Sequence, residues 1–432
     1  MALTAVPTRI SSLQTSFQYL VLLVALMKVP GFSLLPAPGL LLGVLLAPVI
    51  VRAVRREPIV QLLLGAALVA TASGLLTVAY TPVTSGSPGE PFVQATLIAW
   101  IFSIPVTVAL IMWASAGVPT RTAVVLVLIG GLVSALVNEP LAWKGSIGIF
   151  STLLALALVW GRPLIVPRII LVSSAALSAI GDARFMTLIA LLAVVATFIG
   201  RRTRDRLARN PVRWSIVITG AALVATRLAI TAMQSGLLGP AIALRTQHQF
   251  VAGRSWIEAA RTEWAASLHL FSAQPSGFGI GEVTNGGLAR EAIARVQAVG
   301  GDYTADYFVV DVFGSRVDLH SMTADLWYHF GIGGLLVVLV TAAYLLVALP
   351  ASISRARTGG VLVVFACLAG AWDLMFSPMG NVDRLIVALA LAGTMLQQSR
   401  GPHGDAGSES GLAQAPTSSA VSSPRNDRRV QR

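Results

Sequence analysis

Apolar runs of about 17–25 residues recur along this chain, and a run of that length crosses a bilayer core of roughly 30 Å as a helix. Lipid supplies no partner for backbone N–H and C=O groups. Each crossing is therefore helical, and a long polar stretch must lie outside the hydrocarbon or inside a protein-lined cavity. The 432 residues are 55% hydrophobic and 12% charged, with a mean hydropathy of +0.76, which excludes a soluble domain. The pattern predicts an all-α polytopic membrane protein of about twelve spans, at 17–29, 35–51, 59–80, 92–114, 122–137, 147–160, 164–180, 185–200, 214–235, 330–349, 360–376 and 385–397.

One long polar excursion, 237–329, separates the helices of 1–236 from those of 330–397. Chemistry is expected there. From Gly401 onward Gly, Ser, Pro and Ala dominate with scattered Arg, the composition of a disordered tail, assigned here to 398–432. The net charge of +12 does not point to nucleic acid, because the arginines sit in short clusters between apolar runs, as topology signals do. With the N-terminus inside, the inner loops receive Arg9, then Arg52, Arg55 and Arg56, then Arg121, Arg162, the run from Arg201 to Arg209, and Arg355 with Arg357. The excursion then falls outside. Cys367 is the single cysteine and lies in an apolar run, so a disulfide and a cysteine-based metal site are excluded. The first run has no preceding basic region or small-residue cleavage site and reads as a retained helix.

Several residues stand out from this scaffold. Arg184 sits at the outer end of a span, where it either serves an anion or snorkels and pairs with Asp182. Arg227 lies within the ninth span; intramembrane arginines usually face the bundle interior, so it pairs with an acid such as Asp373 or meets substrate. Arg254 and Arg261 flank Glu258 on an expected loop helix, 255–273, whose Trp256, Ala260, Trp264 and Leu268 suit an interfacial helix or an ordinary amphipathic one. Either guanidinium also suits a phosphate. The segment Pro275-Ser276-Gly277-Phe278-Gly279-Ile280-Gly281 is a turn whose amides could cradle an anion. His320 follows Asp318 and precedes Asp325; a neutral imidazole is well matched to accepting a hydroxyl proton, although a lone loop histidine is more often simply solvated. His329 and His269 are further candidates. The residue spacing contains no metal-ligand cluster, nucleophile elbow or Walker-type loop.

Taken in order, these features resemble the O-antigen ligase and polymerase family of bacterial envelope glycosyltransferases. That family combines about a dozen helices with a large, late extracytoplasmic loop. Its loop opens with Arg, then Trp, Pro and Gly-x-Gly, matched by Arg261, Trp264, Pro275 and Gly279-Ile280-Gly281. It closes with His followed by Asn or Ser and then Gly-x-x-Gly, matched by His320-Ser321 and the Gly331-to-Gly334 run. An outer Ser-Arg is matched at Arg184, with Ala183 in place of Ser. Arg261 is one residue closer to Trp264 than expected, which leaves Arg254 as its substitute.

The resemblance implies a metal-independent, inverting transferase without cofactor in the bacterial cytoplasmic membrane, acting at its extracytoplasmic face. Its donor would be a glycan on a polyprenyl diphosphate and its acceptor a glycan or lipid hydroxyl. His320 would be the general base, with Arg184, Arg261 and Arg254 at the diphosphate and Arg227, His329 and Arg384 as secondary candidates. A transporter, a lipid-linked glycan flippase and a non-catalytic envelope assembly protein remain alternatives. A flippase would more often show broken helices and repeat symmetry than so long a loop.

Overall fold

A computed structural model describes residues 8–399 except 28–37, 81–84, 88–89, 139–142, 182, 200–202, 204–205, 208, 238, 241–242, 245–246, 248–257, 259–260, 301–306, 315, 356–358 and 381–382. The chain is a helical bundle. Its first part comprises α1 (Thr8–Val24), α2 (Pro38–Leu45), α3 (Ala47–Val54), α4 (Pro58–Tyr80), the short strand β1 (Ser85–Ser87), α5 (Pro91–Ala114), α6 (Thr120–Asn138), α7 (Gly148–Leu158), α8 (Ile165–Ile180), α9 (Arg184–Thr197) and α10 (Pro211–Gln234). Pro58, Pro91 and Pro211 occupy first helical positions, where the missing N–H costs nothing. The run at 35–51, expected as one span, is two short helices. Pro48 has no amide to offer the Val44 carbonyl, so the ladder breaks there.

The described part of the excursion from Arg261 onward contains regular elements. It holds α11 (Glu263–Ala273), β2 (Val283–Thr284) and α12 (Gly286–Ala298), the last capped by Asn285, whose side chain accepts from the Leu288 amide at 2.8 Å. These elements enclose a small apolar core of their own, including Ala266, Leu270, Phe278, Ala292, Val296, Phe308, Val312 and Leu319. The helix expected over 255–273 is described only from Glu263; Trp256 and most of 251–260 lie outside the described residues. Trp264 packs on protein, its indole donating to the Met375 carbonyl at 3.2 Å.

The chain finishes with α13 (Met322–Ser354), α14 (Val361–Phe376) and α15 (Asp383–Ser399). Helix α13 starts well before residue 330, where the span was expected. Ser321 caps it, accepting from the Ala324 amide at 3.3 Å. The helix is interrupted at Gly331 (φ 60°, ψ −143°), and its first segment contributes Ala324, Trp327 and Tyr328 to the core of the excursion. A side chain at Gly331 would strike the Ser276 carbonyl, and one at Gly333 would come within 2.7 Å of the Ala70 Cα. These close approaches seat α13 on α4.

Four helices among the described residues are long and apolar enough to cross a membrane: Pro58–Tyr80, Pro91–Gly117, Thr120–Asn138 and Met322–Ser354. Shorter apolar helices, such as Ile165–Ile180 and Val361–Phe376, accompany them. The loops separate to two ends. Strand β1, after α4, pairs antiparallel with β2 of the excursion, Ser85 opposite Thr284, and Gly380 in the α14–α15 turn lies close to Arg316. At the other end Arg121 donates to the Leu158 carbonyl, Arg355 to the Gln397 carbonyl at 2.8 Å, and Trp160 packs on Gly359.

Candidate functional site

His320 is the one non-glycine with positive φ (54°) among the described residues, a conformation that costs an L-residue roughly 1–2 kcal/mol. Its neighbours impose it. The Phe313–Val317 bridge closes a tight loop, and the Asp318 amide donates to the Val312 carbonyl at 2.9 Å. Asp318 Oδ1 accepts the His320 amide at 3.1 Å. Asp325, buried in the first turn of α13, accepts the Leu319 amide through Oδ1 at 2.7 Å, while its own amide donates to the Ser321 carbonyl at 2.8 Å. Its other oxygen accepts the Met379 amide at 2.9 Å. Both flanks of His320 are thereby fixed to each other and to the α14–α15 turn.

The ring orientation follows from its partners. Nδ1 lies 3.1 Å from the Asp318 carbonyl oxygen, which can only accept, so a neutral ring carries its hydrogen on Nδ1 and presents a lone pair at Nε2. Nε2 lies 3.2 Å from the Tyr307 hydroxyl. That hydroxyl also donates to Glu263 Oε1 at 3.4 Å. Glu263 is 2% exposed and ion-paired at 3.7 Å with Arg261, whose side chain is 35% exposed. One polar chain thus runs from a solvent-reaching arginine at the start of α11 to the imidazole.

A second arginine approaches from the other side. Arg316 donates to Asp318 Oδ2 at 3.1 Å and keeps 23% of its side chain exposed; its guanidinium carbon stands 4.6 Å from the centre of the Trp100 ring. Arg384 approaches the same indole at 5.1 Å but is 1% exposed. It donates to the Met379 and Gly380 carbonyls at 3.1 and 3.0 Å and to Ser103 Oγ at 3.2 Å. Those donors hold the turn that Asp325 also grips, so Arg384 braces the site from behind instead of offering its charge to a ligand.

The remaining candidates separate by position. Arg184 opens α9, its side chain outside the description, and Arg254 lies outside it altogether. Arg227 is exposed on α10 and does not face the bundle interior as expected, because α10 packs on α13 along one side. Asp373 is buried elsewhere and accepts from Ser377 at 2.9 Å. His329 is buried against the excursion, Nε2 to the Val317 carbonyl at 2.9 Å, a tie between loop and helix. His269 faces the exposed Glu291 at 3.4 Å. Three amides of the glycine turn are engaged: Gly277 donates to the Gln274 carbonyl, and Phe278 and Gly279 both donate to the Tyr328 carbonyl. Its role is close packing, since a side chain at Gly279 would meet Val78 at 2.6 Å. Among the described residues no three His, Cys, Asp or Glu side chains are grouped to hold a metal ion.

Tyr307, Arg316 and the Glu263 link were not identified from sequence. Arg316 had a faint signal, an Arg-x-Asp-x-His spacing; Tyr307 had none, because its contacts arise only when the excursion folds. The chain matches no protein-family model, no curated protein and no solved structure. The likeness to O-antigen ligases and polymerases therefore rests on motif order alone.

Proposed function

We propose that this chain is a membrane glycosyltransferase of the O-antigen ligase and polymerase kind, moving a glycan from a polyprenyl diphosphate to an acceptor hydroxyl. The observation that carries the reading is the convergence of an imidazole, its Nε2 facing the Tyr307 hydroxyl, and two partly exposed arginines, Arg261 and Arg316, on one polar network at one end of the bundle. In the reaction the acceptor O–H bond breaks, its proton going to His320 Nε2, and the oxygen bonds the anomeric carbon. The anomeric carbon–oxygen bond to the carrier breaks, its electron pair leaving on the diphosphate. Attack opposite the leaving group inverts that carbon. Arg261 and Arg316 stabilise the departing charge where little water screens it, and a base of this kind contributes about 10²–10⁴-fold.

Arginine asymmetry supports an extracytoplasmic placement of this end of the bundle, and the family resemblance supports a bacterial cytoplasmic membrane. Arg184 and Arg254 remain candidates for the donor, and no cofactor or metal is invoked. The test is transfer by purified protein from lipid-linked glycan to an acceptor. Loss of transfer in His320→Ala with donor binding retained supports the reading. Donor translocation without bond cleavage would favour a flippase, and neither activity would favour an assembly protein.

A further inference from the structure

We infer that Tyr307 and Glu263 are positioning residues for His320: Glu263 takes the tyrosine's hydrogen, and the tyrosine oxygen then receives the hydrogen that Nε2 acquires. The inference rests on the transfer reading above and assigns two residues that no part of the motif resemblance covers.

Tyr307 has one O–H, and the acceptors it reaches include Nε2 of His320 at 3.2 Å and Oε1 of Glu263 at 3.4 Å. With a neutral ring, that single hydrogen serves one of them and leaves the other bare. With a protonated ring the count closes. Nδ1–H donates to the Asp318 carbonyl, Nε2–H donates to the Tyr307 oxygen, and Tyr307 O–H donates to Glu263. The geometry therefore suits the state that exists just after the acceptor's proton has moved to Nε2. Before that step, Tyr307 turns its hydrogen to Glu263 and leaves the Nε2 lone pair to the incoming hydroxyl. After it, the same tyrosine oxygen holds the new N–H. The proton later returns to solvent, and no further bond changes.

Burial makes Glu263 effective. The residue is 2% exposed, and its Oε2 atom is enclosed without a hydrogen-bond partner. Its charge is therefore weakly screened by water, and Arg261 at 3.7 Å leaves it only partly countered. Tyr307 is held for the task. Its ring meets Phe308 edge-on at 5.2 Å and leans on the imidazole at 5.7 Å.

The test uses the full chain in detergent or nanodiscs with lipid-linked glycan purified from the producing strain, and reads release of polyprenyl diphosphate in the presence of acceptor. Glu263→Gln and Tyr307→Phe keep shape and remove only the hydrogen-bond logic. Each is expected to lower kcat about tenfold with donor KM unchanged, and the double variant is expected to lose no more than about the same tenfold, because a chain broken at two links is broken once. Glu263→Asp should recover part of the loss. In a His320→Ala background, Glu263→Gln should cost nothing further. Wild-type kcat in either single variant, or losses that multiply to about a hundredfold in the double, overturns the inference while an inactive His320→Ala leaves the transfer reading standing. Absence of release by the wild-type protein would remove both.

Discussion

Asp325 accepts the backbone amide of Met379 at 2.9 Å, joining the first turn of α13 to the turn between α14 and α15. Its second oxygen holds the Leu319 amide at 2.7 Å. A single buried carboxylate thus sets the placement of His320 relative to the last two helices.

Asp325→Asn should be costly despite its size. An amide has one acceptor oxygen, so the NH₂ group must face either the Leu319 or the Met379 amide, donor against donor. Leaving a buried donor unsatisfied costs about 1–3 kcal/mol, to be read as a lower unfolding temperature in detergent. Transfer should fall with it. An Asn variant with wild-type stability and rate would show that the loop is held by other contacts.

His320 separates stability from activity. His320→Gly and His320→Ala both remove the imidazole, but glycine adopts φ near 54° without strain. The Gly variant should be the more stable of the two by about 1 kcal/mol, and both should lose transfer by roughly 10²-fold or more. Equal stability of the two variants would indicate that the loop relaxes once the ring is gone.

Arg261→Ala and Arg316→Ala should each weaken use of the donor, since both side chains reach solvent. Lysine should restore part of the effect at either position, because it supplies the charge without the fork. Arg384→Ala should behave differently, lowering stability through the freed carbonyls of Met379 and Gly380. Donor KM and thermal unfolding together distinguish these outcomes.

Sidedness can be read with single cysteines. Cys367 is buried, so background labelling should be low. A cysteine at the exposed Gly286 should react with an impermeant reagent in intact cells, and one at the exposed Arg162 should be protected. The reverse pattern would invert the topology.

The apolar runs that became α4, α5, α6 and most of α13 were legible because lipid leaves the backbone no alternative to a helix. The start of α13 was not. Asp325 and His329 read as polar loop residues, yet both are buried with backbone partners, which hydropathy cannot see. Arg227 was expected to face inward because charge in lipid is costly, but it is exposed on α10, whose contacts among the described residues include α13. His320 was legible as a candidate from its neighbours. Tyr307 was not, since its bond to Glu263 spans 44 residues and exists only once α11 and the His320 loop share a core.

The indole of Trp100, met by both Arg316 and Arg384, ties the site to the order in which the chain is made. Its three contributors are synthesised in the order Trp100, Arg316, Arg384. The His320 loop therefore cannot settle against its final supports until α14 and α15 have been made.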